Sequence, residues 1–180
     1  MMDEKLEIVI SKIHKRNLKL WLIVLSGILI LIAVSTALFY MEMFDSFPIV
    51  NPADADKIAM IIVFAIAIII FFIKRSYLNI NKVIEMAKKK TGQGNREILQ
   101  ALGDSNLNAL LYSRSIDILS RISYSVWFLA DLIVLVAFVL FILVPVLQNY
   151  LIYSFVGLYS LFINKPDRRM LIKLYDYIYE

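Results

Sequence analysis

Four apolar runs, about Leu18–Tyr40, Ile58–Ile73, Val126–Val144 and Tyr150–Ile163, leave this chain few ways to fold in water. A hydrocarbon layer ~30 Å thick is crossed by ~20 apolar residues rising 1.5 Å each, so such runs read as transmembrane helices. An apolar content of 61% agrees, and a mean hydropathy of +0.74 is too high for a soluble core of this size. The fourth run is shorter and more polar, with Tyr153, Ser154, Tyr159 and Ser160, and follows the third after only Pro145–Asn149. A tight re-entrant turn or a tilted short helix would both fit it; we read it as a spanning helix, because Lys165, Arg168 and Arg169 then fall on the same side as the other basic clusters. The expected fold is therefore all-α: a polytopic membrane bundle of four transmembrane helices forming one domain over residues 1–180.

Charge placement orients the bundle. Lys and Arg number five in residues 1–20, nine in 74–124 and four in 164–180, whereas 41–57 holds Lys57 alone against Glu42, Asp45, Asp54 and Asp56. Basic loops stay in the cytoplasm. Both termini and the 74–125 insert are thus expected inside, and the acidic loop and the Pro145–Asn149 turn outside. The expected location is the plasma membrane. Ser35-Thr36-Ala37 has the small-x-small look of a signal cleavage site, but the run before it exceeds the ~7–15 residues of a signal core, so we read an uncleaved helix.

The insert reads as a cytoplasmic helical hairpin. Tyr77, Ile80, Ile84 and Ala87 form an amphipathic stripe flanked by Lys74, Arg75, Lys82 and Lys88–Lys90. This stretch would continue the second span or lie along anionic headgroups, with Lys74, Arg75, Lys88, Lys89 and Lys90 as the contacts. Gly92 and Gly94 break it. Asn95 can cap a short helix, Arg96–Leu102, ended by Gly103. Asp104 or Ser105 then starts a helix that runs from Leu107 to Val144 without Pro or Gly. Leu6, Val9, Ile10 and Ile13 near one end, and Met170, Leu171, Leu174, Tyr175 and Ile178 near the other, have the same amphipathic spacing and are expected to anchor on the membrane surface.

Nineteen Lys and Arg and fifteen Asp and Glu residues leave one charge, Asp131, in the interior of an apolar run. On a helical wheel Asp117, Arg121, Tyr124, Phe128, Asp131 and Leu135 fall within about 40° of one line, with Arg114 beside it. A polar stripe thus descends from the cytoplasm and ends at Asp131, about six residues or 9 Å below the cytoplasmic boundary and one turn past Trp127, the expected interface anchor. An ionised Asp at the centre of a lipid-facing helix is unfavourable by ~2.5–3.5 kcal/mol, so it should face the bundle. Ser26, Tyr159 and Ser160 lie at matching depth and are its expected neighbours. The shallow depth favours a packing role, through an interhelical hydrogen bond or a salt bridge to a snorkelling Arg121, over a transport site.

No cysteine is present, which excludes disulfides and thiolate chemistry. Gly92-Gln93-Gly94 lacks the strand and the Gly-Lys-Ser/Thr ending of a phosphate loop. His14, the one histidine, stands among Lys12, Lys15 and Arg16 and reads as a solvated side chain. Ser26, Ala33 and Ala37 line one face of the first span and suit close helix packing. No catalytic set, metal cluster or cofactor loop is expected, and basic residues confined to membrane borders argue against nucleic acid. The expected function is a non-catalytic accessory, assembly or scaffold subunit with lipid, other membrane subunits or itself as partners. The alternative is a homo-oligomeric channel or proton-linked transporter using Asp131.

Overall fold

The computed structural model describes residues 4–42, 51–91, 94–102 and 107–179. Seven α-helices and no strand occur among them: α1 Glu4–Tyr40, α2 Pro52–Tyr77, α3 Ile80–Lys89, α4 Arg96–Leu102, α5 Leu107–Leu143, α6 Leu147–Phe162 and α7 Arg168–Tyr179. Three of them, α1, α2 and α5, are long and apolar enough to cross a membrane. α6 has 16 residues, about 24 Å by the helical rise.

Local chemistry explains the helix ends. Asn51 accepts from Ala53 N at 3.1 Å before Pro52, pairing a side-chain cap with a residue suited to the first turn. Lys74 and Arg75 occupy the last turn of α2, where the helix dipole favours cations. The stripe at Tyr77–Ala87 is not a continuation of that helix. α2 stops at Tyr77, and Asn79 caps α3 by accepting from Asn81 N at 3.1 Å. Asn95 caps α4 as its sequence position suggests, accepting from Glu97 N at 3.0 Å. Asp167 does the same for α7, accepting from Arg169 N at 2.9 Å. α5 runs unbroken for 37 residues, about 55 Å, and stops ahead of Pro145. Gly94 is buried outside any helix, and a Cβ there would stand 2.7 Å from the Ser113 Cβ. Gly92, Gly103, Asp104, Ser105 and Asp45 lie outside the described residues.

The chain forms two compact units. The first comprises Met1–Trp21, Ile73–Ser125 and Lys165–Glu180. Its core joins Leu6, Ile10 and Ile13 of α1, Val83 and Ile84 of α3, Ile98 of α4, Tyr112, Ile116 and Leu119 of α5, and Leu171 and Leu174 of α7. The three amphipathic segments expected to lie along the membrane therefore spend their apolar faces on one another. Each is too short to bury its stripe alone, and packing removes more apolar surface from water than any one stripe could. Polar links brace the same unit. Arg168 pairs with Glu7 at 2.7 Å, Lys12 with Glu97 at 2.8 Å and Lys90 with Asp117 at 3.8 Å. Lys165 lies 5.8 Å from the ring centre of the buried Trp21.

The second unit comprises Leu22–Phe72 and Val126–Asn164. Ala59, Val63, Ile66 and Ile70 put one face of α2 inside, spaced as a single helical stripe. Ala137, Phe141 and Tyr150 form a core cluster against Ile32 and Phe39. The face of α1 turned inward is thus Ile28, Ile32, Ser35 and Phe39, while Ser26, Ala33 and Ala37 are exposed. Bulkier side chains win that face because interdigitated packing, rather than close backbone approach, holds α1. Phe64, Phe155 and Ile61 are 68%, 69% and 64% exposed, an outward apolar coat that suits lipid and not water.

Candidate functional site

α6 is fixed to its own unit at both ends and in the middle. At its start Asp56 of α2 accepts from Asn149 Nδ2 at 2.9 Å and from the Tyr153 hydroxyl at 2.8 Å, both on the same carboxylate oxygen. Asn149 and Tyr153 are four residues apart and share a face. In the middle, a Cβ on Gly157 would lie 2.6 Å from Val134 Cγ2 and 2.8 Å from the Ala130 carbonyl oxygen. Only a glycine lets α6 approach α5 so closely. At the far end Trp127 donates its indole N–H to the Asn164 carbonyl at 2.8 Å, and Asn164 Nδ2 donates to the Ser160 carbonyl at 2.7 Å.

The Asp56 cluster was not legible as a site. In the sequence Asp56 counts only toward the acidity of a loop, and its partners lie more than ninety positions away. The one available signal was the spacing of Asn149 and Tyr153 on an otherwise apolar helix. Two buried hydroxyls lie close by in sequence, Tyr150 OH and Ser154 Oγ, and neither has a hydrogen-bond partner among the described residues. A carboxylate holding two neutral donors is a satisfied brace, with no nucleophile or base released by the arrangement.

Asp131 stands differently. It is half-buried, and no hydrogen bond or ion pair links its carboxyl to another described residue. Its expected neighbours do not gather round it. The Ser26 hydroxyl is exposed and donates to its own helix, at Leu22 O and Ile23 O. Tyr159 is 59% exposed, and Ser160 is buried in the last turn of α6. Beside Asp131 on α5, Phe128 is 65% and Leu135 41% exposed. The carboxyl therefore borders an open face of the unit.

The cytoplasmic stripe is dispersed among packing partners. Tyr124 donates to Asn17 Oδ1 at 2.7 Å, and Asn17 Nδ2 donates to Ser120 Oγ at 3.4 Å. Asn17 is 8% exposed, so this pair satisfies a buried amide between α1 and α5. Asp117 faces Lys90. Arg114 is half-buried and Arg121 exposed. Of the expected headgroup contacts, Lys74, Arg75, Lys88 and Lys89 are exposed and Lys90 is half-buried. Lys89 is paired with Glu85 at 2.7 Å, which holds the Glu85 carboxyl below its usual range. His14 is half-buried, and no group of three or more His, Asp or Glu among the described residues is arranged to hold a metal ion. Comparison with protein-family models, with curated proteins and with solved structures finds no match for this chain.

Proposed function

We propose that this chain is a four-span integral protein of the cell membrane with both termini cytoplasmic, serving as a non-catalytic accessory or assembly subunit. The observation that carries the reading is the make-up of the first unit, which draws on three separated parts of the chain. Segments that share a core share a side of the membrane, so the chain between them crosses an even number of times. Between Trp21 and Ile73 the crossings are the apolar part of α1 and then α2. Between Ser125 and Lys165 the outward crossing is α5, and the return falls to α6. At about 24 Å that helix is short for a ~30 Å layer, a mismatch that local thinning absorbs at modest cost.

The basic residues gathered on that shared side support a cytoplasmic location for it. There the first unit offers a compact helical body for partner subunits. Its apolar faces are taken up internally, so contact with anionic headgroups rests on charge from Lys74, Arg75 and Lys88, ~1 kcal/mol per residue near the surface. The channel or transporter reading has less support: Asp131 borders Phe128 and Leu135, both exposed, and a path past it would need several copies to enclose it. Affinity capture of the full-length protein from native membranes in mild detergent, followed by mass spectrometry, tests the proposal. A stoichiometric partner is expected. A monodisperse protein that copurifies with nothing would overturn it.

A further inference from the structure

Phe128, Asp131, Leu135, Val139 and Ile142 recur along α5 at three- and four-residue spacing and so share one side of the helix. The four apolar members are open, at 65%, 41%, 54% and 44% exposed. Leu135 and Val139 also line an apolar groove of about 380 Å³ between α2 and α5, together with Ile58, Ile62, Leu132 and Leu143. Groove and open side are thus one continuous surface. Apolar side chains on such a surface are content with lipid. A carboxyl among them is not, because hydrocarbon supplies no hydrogen-bond donor and no counter-charge.

We propose that this surface seats a transmembrane helix of a different protein, one that sets apolar side chains in the α2–α5 groove and presents a Lys or Arg to Asp131. Charge complementarity selects that occupant. A second copy inserted in the same orientation would bring carboxyl against carboxyl at one depth, a repulsive arrangement. The chain has no cation to offer at that depth either, since Leu20–Tyr40, Ile58–Ile73 and Leu132–Ile163 contain neither Lys nor Arg. A lipid tail fills a groove but carries no positive group, and headgroup amines lie about 9 Å nearer the surface. The inference rests on the accessory-subunit reading and deepens it by naming the chemistry of the subunit joined.

The test uses full-length protein in phosphatidylcholine vesicles and synthetic leucine–alanine transmembrane peptides. One peptide carries a single Lys about six residues from one end of its apolar run, and the other is wholly apolar. Energy transfer from labelled peptide to labelled protein reports association. The Lys peptide is expected to bind about tenfold more tightly, a typical size for an intramembrane polar contact. That preference should vanish in Asp131→Asn and Asp131→Leu. Asp131→Leu removes an unsatisfied charge, so its melting temperature should equal or exceed wild type, and lost binding cannot be blamed on misfolding. Equal binding of the two peptides, or a preference that survives Asp131→Leu, would overturn the proposal. Self-association of the protein that depends on Asp131 would also overturn it, by making the occupant a second copy. The peptide assay needs no native partner, so its failure leaves the capture experiment standing, and an empty capture leaves this surface still to be decided by peptide.

Discussion

The Tyr112 hydroxyl on α5 donates to the Leu171 carbonyl on α7 at 3.1 Å, joining positions 59 residues apart. Tyr112 is fully buried, and the Tyr175 ring meets it edge-on at 5.5 Å. Removing the hydroxyl in Tyr112→Phe should cost about 1 kcal/mol, the net value of one such hydrogen bond. Tyr112→Ala should cost about 3–5 kcal/mol, because it also opens a cavity. Thermal unfolding in detergent measures both, and hydrogen exchange should locate the loss at α7.

The same phenol predicts an alkaline weakness. Burial, reinforced by Tyr175, Asp176 and Tyr179, holds the Tyr112 hydroxyl well above the usual tyrosine range. Its neutral form is favoured in the fold, so its contribution is complete below about pH 10, the unfolded value. That contribution is lost as pH rises toward the folded value. Tyr112→Phe should flatten the fall in stability above pH 10, and tyrosinate absorbance should lack its latest-titrating group. Glu97 has the opposite sign, since Lys12 holds its carboxyl low. Its contribution is present above the usual Glu value and fades as pH falls, with little effect because both partners are exposed.

Gly157 and Gly27 form a matched pair. Gly157→Val would drive a side chain into Val134 and the Ala130 carbonyl, and should destabilise by about 1–3 kcal/mol. Gly27→Ala meets nothing within 4 Å and should be neutral or slightly stabilising, as Ala is the better helix former. Equal melting temperatures for the two variants would contradict the close α5–α6 approach.

Asp56→Ala strands the Asn149 amide and the Tyr153 hydroxyl and should cost about 1–3 kcal/mol. Tyr153→Phe removes one donor and leaves the other, so its effect should be smaller. Melting of the two variants checks the order.

The absence of cysteine makes the threading directly measurable. Single Cys residues at the exposed positions Glu97 and Lys173 should react with a membrane-impermeant maleimide only after cells are opened. Cys at Gln148 should react in intact cells. Labelling of Lys173→Cys from outside would place α6 on a different path.

Helix extents were largely legible because they depend on neighbours in sequence: Asn95 capping α4, and a Leu107–Val144 stretch lacking Pro and Gly. The break at Leu78–Asn79 was missed because Asn79 also fits an exposed helical position. The destination of the apolar stripes was not legible. A stripe such as Leu6–Ile10–Ile13 looks the same whether it meets lipid or Val83 and Leu171, and only tertiary packing chooses. Asp131 stood out from composition alone, but its lack of a partner required the positions of Ser26 and Ser160. Asp56 was hidden because the sequence counts it with an acidic connection, whereas it sits in the second turn of α2.

The first unit draws on α1, on the central insert and on α7, and so imposes an order on biosynthesis. Leu6, Ile10 and Ile13 leave the ribosome long before Leu171 and Leu174 exist, and the Arg168–Glu7 pair spans 161 positions. Until α7 is made, the apolar stripes of α1 and α3 lack the part of their core that Leu171 and Leu174 supply. Closure of this core therefore has to wait for α7, the last of the segments that build it.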